Sequence, residues 1–306
     1  MIIVFGSINT DMIMRVPHLP KPGETVLSRS YDVGSGGKGA NQAVAAARMG
    51  SKVAMIGCVG DDGPAVRLVG KLKREGVMTS GVSESETHLT GTAVVVTDPS
   101  GENQITVASG ANQDAHQDQV PDEILKPGNI VLMQMELSTP ETETLIARAH
   151  ELGAKTIMNL APAIKISHSA LKKLDYLVLN ALEASQMAEQ LGLKGDSDAM
   201  KLAQALAQFG NLTCIITQGE HGSLAVTDKN VQYRVPALKL DDLIDHTGAG
   251  DAYCGTLAAC LHNVMGLQKA MKYASVAGSL ACRKQGAQNS YAYLSEIEDH
   301  LALLDD

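Results

Sequence analysis

Short apolar runs alternate with helix-forming stretches along most of this chain, and that alternation restricts the fold more than any other feature. Ile2–Phe5 and residues 52–59, 129–135, 155–160, 176–180 and 214–217 read as strands. Helical patterns cover 43–49, 65–75, 140–152, 183–191, 198–209 and 252–265. Strands that are apolar almost throughout are buried on both faces, and helices between them supply the cover. The expected fold is therefore α/β, with a central, mostly parallel β-sheet flanked by helices on both faces. With 306 residues the chain is expected to form one large domain, residues 1–306, with a small appendage. Aromatic residues are only 3% and Trp is absent, so the core has to be built from Ala, Val, Ile, Leu and the 13 Met.

Two stretches depart from the pattern. In the first, Met12, Met14 and Val16 alternate with other residues, Pro17, Pro20 and Pro22 interrupt, and 25–33 is again strand-like. The second pairs 91–97 with 104–109 around the turn signal Asp98-Pro99-Ser100-Gly101. Residues 12–34 and 91–109 are expected to form a small β lid. Such a lid would exclude water where hydrolysis competes with transfer.

The formal net charge of −9 argues against general affinity for nucleic acid or anionic membrane and favours small-molecule partners. Five scattered cysteines without C-x-x-C spacing suggest neither a zinc site nor a disulfide framework, as in a reducing cytoplasm. No signal-peptide pattern opens the chain and no apolar run is of bilayer length, so a cytoplasmic location is expected.

The chemistry concentrates in glycine-rich turns. Asp245-His246-Thr247-Gly248-Ala249-Gly250-Asp251 leads into a helical run, where unpaired N–H groups and the macrodipole favour an anion. Asp251, in the first turn, is placed to take a proton from a hydroxyl that attacks a phosphoryl group. A plain loop followed by a first-turn charge is the simpler alternative. The run Gly34-Ser35-Gly36-Gly37-Lys38-Gly39-Ala40-Asn41-Gln42 is not a P-loop, since Asp32 stands five before Gly37 and Gly39 follows Lys38. Gly34, Gly36 and Gly39 match G-x-G-x-x-G, but the preceding 28–33 is polar where a dinucleotide fold needs a buried strand. These glycines suit close approach of backbone amides to a polyhydroxylated ligand, with Lys38 and Asn41 as donors, or simply a helix entry.

Polar residues recur at the strand ends: Asn9 and Asp11, Glu136, Asn159, Asn180, and Gln218-Gly219-Glu220. Open α/β sheets bind ligands at that carboxyl edge. Asn180 with Glu183 also fits a helix N-cap with its N3 acid, and Gly219 and Gly222 fit a hairpin turn.

Five stretches together resemble the ribokinase family of carbohydrate kinases over essentially the whole length: Gly6-Ser7-Ile8-Asn9-Thr10-Asp11, Gly36-Gly37-Lys38-Gly39-Ala40-Asn41-Gln42-Ala43, Asn180-x-x-Glu183, Thr217-Gln218-Gly219-Glu220-His221-Gly222 and Asp245-x-Thr247-Gly248-Ala249-Gly250-Asp251. The resemblance implies a ribokinase-like fold, ATP with Mg²⁺, and transfer of the γ-phosphoryl group to a primary hydroxyl, O5 when the sugar is D-ribose. It makes Asp251 the base and the turn Thr247 to Gly250, with Gly248, Ala249 and Gly250, the anion hole. Asn9, Asp11, Gly37, Lys38, Asn41 and Glu136 would hold the sugar. Asn180, Thr217, Gly219, Gly222, Gly250 and Ser275 would surround the nucleotide, and Glu183 would order Mg²⁺ through water. A K⁺ site is implied at Asp245, Thr247, Ala281, Lys284, Gly286 and Ser290, and a homodimer through the lid. Departures from the family pattern are His246 for Thr, Leu160 and Leu179 for Pro, and Tyr253-Cys254 for Phe and a small polar residue. Deoxyribose, a ketose or a nucleoside are the alternative acceptors. A dinucleotide-dependent oxidoreductase and a sugar-binding sensor are the competing classes, the latter disfavoured because a sensor needs no base.

Overall fold

The computed structural model describes residues 1–100, 102–193 and 198–304. In chain order the strands are β1 Ile2–Phe5, β2 Asn9–Arg15, β3 Tyr31–Gly36, β4 Val53–Gly60, β5 Met78–Ser85, β6 Gly91–Thr97, β7 Asn103–Ala108, β8 Ile130–Gln134, β9 Lys155–Asn159, β10 Tyr176–Asn180, β11 Thr213–Thr217, β12 Ser223–Val226 and β13 Gln232–Val235. The helices are α1 Lys38–Arg48, α2 Gly63–Arg74, α3 Thr139–Leu152, α4 His168–Leu171, α5 Ala181–Gln190, α6 Ala199–Gly210, α7 Ala249–His262, α8 Leu267–Ala281 and α9 Leu294–His300.

Nine strands form one sheet in the order β13-β12-β11-β10-β9-β8-β1-β4-β5. All neighbours from β11 to β5 run parallel, and β12 and β13 add an antiparallel edge. Alternate side chains of β1 enter opposite cores. Ile2 and Val4 join Ala43, Val44, Leu257 and Ala274 on one side, whereas Ile3 and Phe5 join Leu145, Met187 and Leu206 on the other. This two-sided burial is why the strands read as unbroken apolar runs.

The strand order reverses beside β1. From there the chain proceeds one way through β4 and β5 and later the other way through β8 to β11, which opens a crevice at the carboxyl ends of β1 and β8. Helices α1 and α7 cross beneath that crevice. Their contact is lined by small residues, and a Cβ on Gly255 would lie 2.4 Å from the Gln42 carbonyl oxygen and 2.7 Å from Ala45 Cβ. This close approach brings the N-termini of the two helices together.

Four strands in the order β3-β2-β6-β7 form a separate small sheet. The strand expected over 25–33 begins instead at Tyr31 and runs to Gly36, because Gly34, Ser35 and Gly36 pair with Asp11, Thr10 and Asn9. Ahead of it, Ser28 Oγ donates to the carbonyls of Arg15 and Ser30, outside the ladder. Gly101 of the expected turn lies outside the described residues. Helices α1 and α7 begin earlier than their apolar patterns suggest, at Lys38 and Ala249, each after a glycine N-cap with positive φ, 85° at Gly37 and 80° at Gly248. No helix among the described residues is long and apolar enough to cross a membrane.

Candidate active site

The crevice is built on glycines that admit close backbone contact. A Cβ on Gly37 would sit 2.7 Å from both Ser7 O and Asn9 N. The first turn of α1 is thereby seated on the exit of β1, with Ala40 N donating to Ser7 O at 2.9 Å. Glu136, just past β8, accepts hydrogen bonds from Ser7 Oγ and from Lys38 N. Asp11, on β2, lies over Gly36, whose missing Cβ leaves room for the carboxylate.

These groups form one electrostatic cluster. Burial, reinforced by Glu136 and Asp251, raises Asp11 to about 6, with Lys38 opposing. Burial would lower Lys38, but the fields of Asp251, Glu136 and Glu183 outweigh it and hold the ammonium above its ordinary value. The raised Asp11 has a consequence for stability. The native state retains a proton that the unfolded chain releases, so stability falls as pH rises from the ordinary carboxylate range through about 6, and the deficit persists above it. Asp11→Asn is therefore expected to melt several degrees higher than wild type at pH 7.5, with the gain shrinking towards pH 4. A melting difference independent of pH would refute this.

Asp251 is 8% exposed and both its oxygens are held by amide donors. Asn41 Nδ2 donates to Oδ2 and Gln42 Nε2 to Oδ1, each at 2.9 Å. The amides continue outward: Gln288 Nε2 donates to Asn41 Oδ1, Gln42 Nε2 also to Asn159 Oδ1, and Gln134 Nε2 to Gln42 Oε1. Gln42, Gln134 and Gln288 carried no role in the sequence reading. Gln134, a polar residue ending an apolar strand, was the available signal.

Two adjoining cavities lie here, and Asp251 lines the smaller of them. The larger, about 830 Å³, is lined by Leu238, Leu240, Leu243 and Tyr253 together with Gly219, Gly222 and Ser275. The smaller, about 140 Å³, is lined by Lys38, Asn180, Glu183, Asp251 and Cys254. Thr217 and Gly250 border both. The larger volume suits a nucleotide-sized ligand, and Ala249 and Gly250 of the first turn of α7 line it. Of the residues expected around a nucleotide, Thr217, Gly219, Gly222, Gly250 and Ser275 line the larger cavity and Asn180 the smaller.

Glu183 caps its own helix and also lines the smaller cavity. Its Oε2 accepts from Asn180 N while Asn180 Oδ1 accepts from Glu183 N, a capping box, and the same carboxylate faces the smaller cavity. Burial raises its pKa, which the Asn180 N–H and Lys38 counteract and Asp251 reinforces. One acid at this place fits a hydrated cation held at a distance. No group of three or more His, Cys, Asp or Glu arranged to hold a metal occurs among the described residues.

Asp245 joins the loop before α7 to the loop after α8. Its carboxylate accepts from Thr247 N at 2.9 Å and Gly286 N at 2.8 Å. Burial opposes ionisation there, but these bonds and His246 hold the group below the usual carboxylate range. Ala281 ends α8 in the core, Lys284 is exposed, and Ser290 Oγ donates to Ala287 O. Among the departures, His246 lines the larger cavity, Leu160 and Leu179 are core residues, and Tyr253 OH donates to Ser223 Oγ. Burial and the nearby Asp251 push the Cys254 thiol well up, so it is no nucleophile.

The model of the pfkB family carbohydrate kinase matches residues 1–292. The chain belongs to this family. It is a carbohydrate kinase, a phosphotransferase. The kinase is 33% identical over 307 residues to a ribokinase of Schizosaccharomyces pombe, covering 97% of this chain and 96% of the relative. Among solved structures it resembles ribokinase from Thermotoga maritima, with a TM-score of 0.89, 30% identity and coverage of 100% and 99%. It also resembles ribokinase from Cryptococcus neoformans in complex with ADP, with a TM-score of 0.85, 29% identity and coverage of 98% and 99%.

Proposed function

We propose that this kinase transfers the γ-phosphoryl group of ATP to the 5-hydroxyl of D-ribose, with Asp251 as general base. The carrying observation is the position of Asp251: a buried carboxylate in the first turn of α7 that lines the smaller cavity with Lys38, feels the charges of Asp11 and Lys38, and follows Gly250, which borders the nucleotide-sized cavity. The sugar binds on that cluster, held by Asn9, Asp11, Gly37, Lys38, Asn41 and Glu136. Its hydroxyl displaces one amide donor from Asp251 and gives up its proton as it attacks. The amides of Gly248, Ala249 and Gly250 stabilise the charge on the transferring group. Mg²⁺ would offset phosphate charge when bound, and Glu183 is the residue that would help order it. K⁺ would be held by the loops that Asp245 ties together, with Thr247, Ala281, Lys284, Gly286 and Ser290 around it. The small sheet of β2, β3, β6 and β7 serves as the lid of a single domain, and its exposed Tyr31 and Val33 offer an apolar face for a homodimer. Five free, buried cysteines suit a cytoplasmic enzyme.

A cavity of about 370 Å³ beyond Glu136 gives a larger acceptor room, but it is lined by Met135, Leu137, Pro140 and Ile164 with no aromatic ring to stack a base. This favours a small sugar. The test is ADP release with Mg·ATP and K⁺ on D-ribose, 2-deoxyribose, fructose and a nucleoside, repeated with Na⁺ for K⁺. Ribose is expected to give the highest kcat/KM, falling without K⁺. Faster turnover of another acceptor would overturn the assignment. The Asp11 carboxylate should also bind hydroxyls better when ionised, so the ribose KM is expected to fall as pH rises through about 6 and then level. Asp11→Asn should abolish that dependence.

A further inference from the structure

One buried side chain, Asn112, ties the small sheet to the exit of β1. Asn112, in the short helical turn Gly110–Asp114 that follows β7, is 1% exposed. Its Oδ1 accepts from Ile8 N at 2.9 Å, where the chain leaves β1 for β2. A backbone N–H only donates, so this end of the amide must be the oxygen. The other end is then the NH₂, and it donates to Asn9 Oδ1 at 2.7 Å, with a longer contact to Ile8 O. Gly91 closes the arrangement from β6, since a Cβ there would lie 2.2 Å from Asn112 Nδ2 and 2.4 Å from Asn9 Oδ1.

The orientation of Asn9 follows from this chain of bonds. Its oxygen is committed inward, and its Nδ2 has no partner among the described residues. Asn9 and Asp11 are two apart on one strand and therefore project to the same face. We propose that Asn112 is a positioning residue that fixes Asn9 as a hydrogen-bond donor towards the sugar, opposite in polarity to the Asp11 acceptor beside it. Asn112 never touches the sugar. It sets which polarity of partner Asn9 accepts, and it does so from the point where the small sheet meets the core. This rests on the reading that Asn9 and Asp11 hold the sugar.

The test is Asn112→Asp. The new carboxylate still accepts from Ile8 N but offers Asn9 an acceptor where a donor stood. Asn9 then turns over, donates inward and shows the sugar its oxygen. A rise in ribose KM of about tenfold or more is expected, the effect of one mispaired buried group, with the ATP KM within about twofold of wild type. Because the effect acts through Asn9, adding Asn112→Asp to Asn9→Ala should raise the ribose KM no further. If Asn112→Asp does not fold, Asn112→Ser, which frees Asn9 to turn either way, is carried through the same cycle. Unchanged ribose KM in the Asn112 variant, or full additivity in the cycle, would overturn the proposal while leaving the kinase assignment standing. A wild type that neither turns over ribose nor melts higher in its presence would remove the premise, and the proposal with it.

Discussion

Asp251→Asn is expected to lower kcat on ribose by about 10²–10⁴-fold, the range for loss of a general base. The ATP KM should change little, since the larger cavity is bordered by Gly250 and Tyr253 but not by Asp251. The variant also has a structural consequence. Both oxygens of Asp251 now accept from amide NH₂ groups. An Asn at this position would turn one NH₂ against another, and relief requires Asn41 or Gln42 to rotate. Rotation of Gln42 disturbs its bonds with Asn159 and Gln134, and rotation of Asn41 disturbs that with Gln288. A stability loss of about 1–3 kcal/mol is expected alongside the kinetic one. Steady-state kinetics together with a melting curve separate the two, and a kcat within tenfold of wild type would show that Asp251 is not the base.

Gly248→Ala should damage the anion hole and the fold together. Gly248 is the N-cap of α7 at φ 80°, where an L side chain is strained by about 1–2 kcal/mol. Its Cβ would lie 2.6 Å from Tyr291 OH, 2.7 Å from Ala287 Cβ and 2.9 Å from Ala287 Cα, so the backbone has to move. Displaced amides no longer point at the transferring group, and a kcat loss of about 10²–10³-fold is expected, as for removal of an oxyanion-hole donor. Adding Ala287→Gly removes one of the three clashes and should recover part of the stability. Gly250→Ala makes the contrast, since a Cβ there meets nothing within 4 Å and φ is not positive. It should melt close to wild type. Equal melting of the Gly248 and Gly250 variants would refute the steric account.

Much of the fold was legible because its signals are local. Ile2–Phe5, Gly91–Thr97 and Tyr176–Asn180 were readable to the residue, since apolar β-branched runs bounded by glycine or polar residues leave little choice. The polar strand Met78–Ser85 was missed. It lies at the sheet edge, where one neighbour and partial exposure relax the demand for apolar side chains. The pair Ser223–Val226 and Gln232–Val235 is short, and Gly222 gave only an ambiguous turn signal. Helix α8 has no counterpart among the helices the sequence pattern predicts, although the family resemblance implies that Ser275, within it, lies beside the nucleotide.

Within the site, the glycine turns and the acid at the start of α7 were visible because capping and positive φ depend on a few adjacent residues. The alternation of strand and helix likewise sets the α/β class from short-range burial alone. Which strands become neighbours does not follow from such patterns, because the reversal beside β1 is a choice among distant pairings of similar hydrophobicity. Asn41 meets Asp251 across 210 residues of chain, through packing of α1 on α7 at Gly255. The raised Asp11 depends on burial and on Glu136 and Asp251, groups from separate segments. The polarity of Asn9 depends on Asn112, 103 residues away. Charge and hydrogen-bond direction are set by what surrounds a group in space, and folding alone assembles those surroundings.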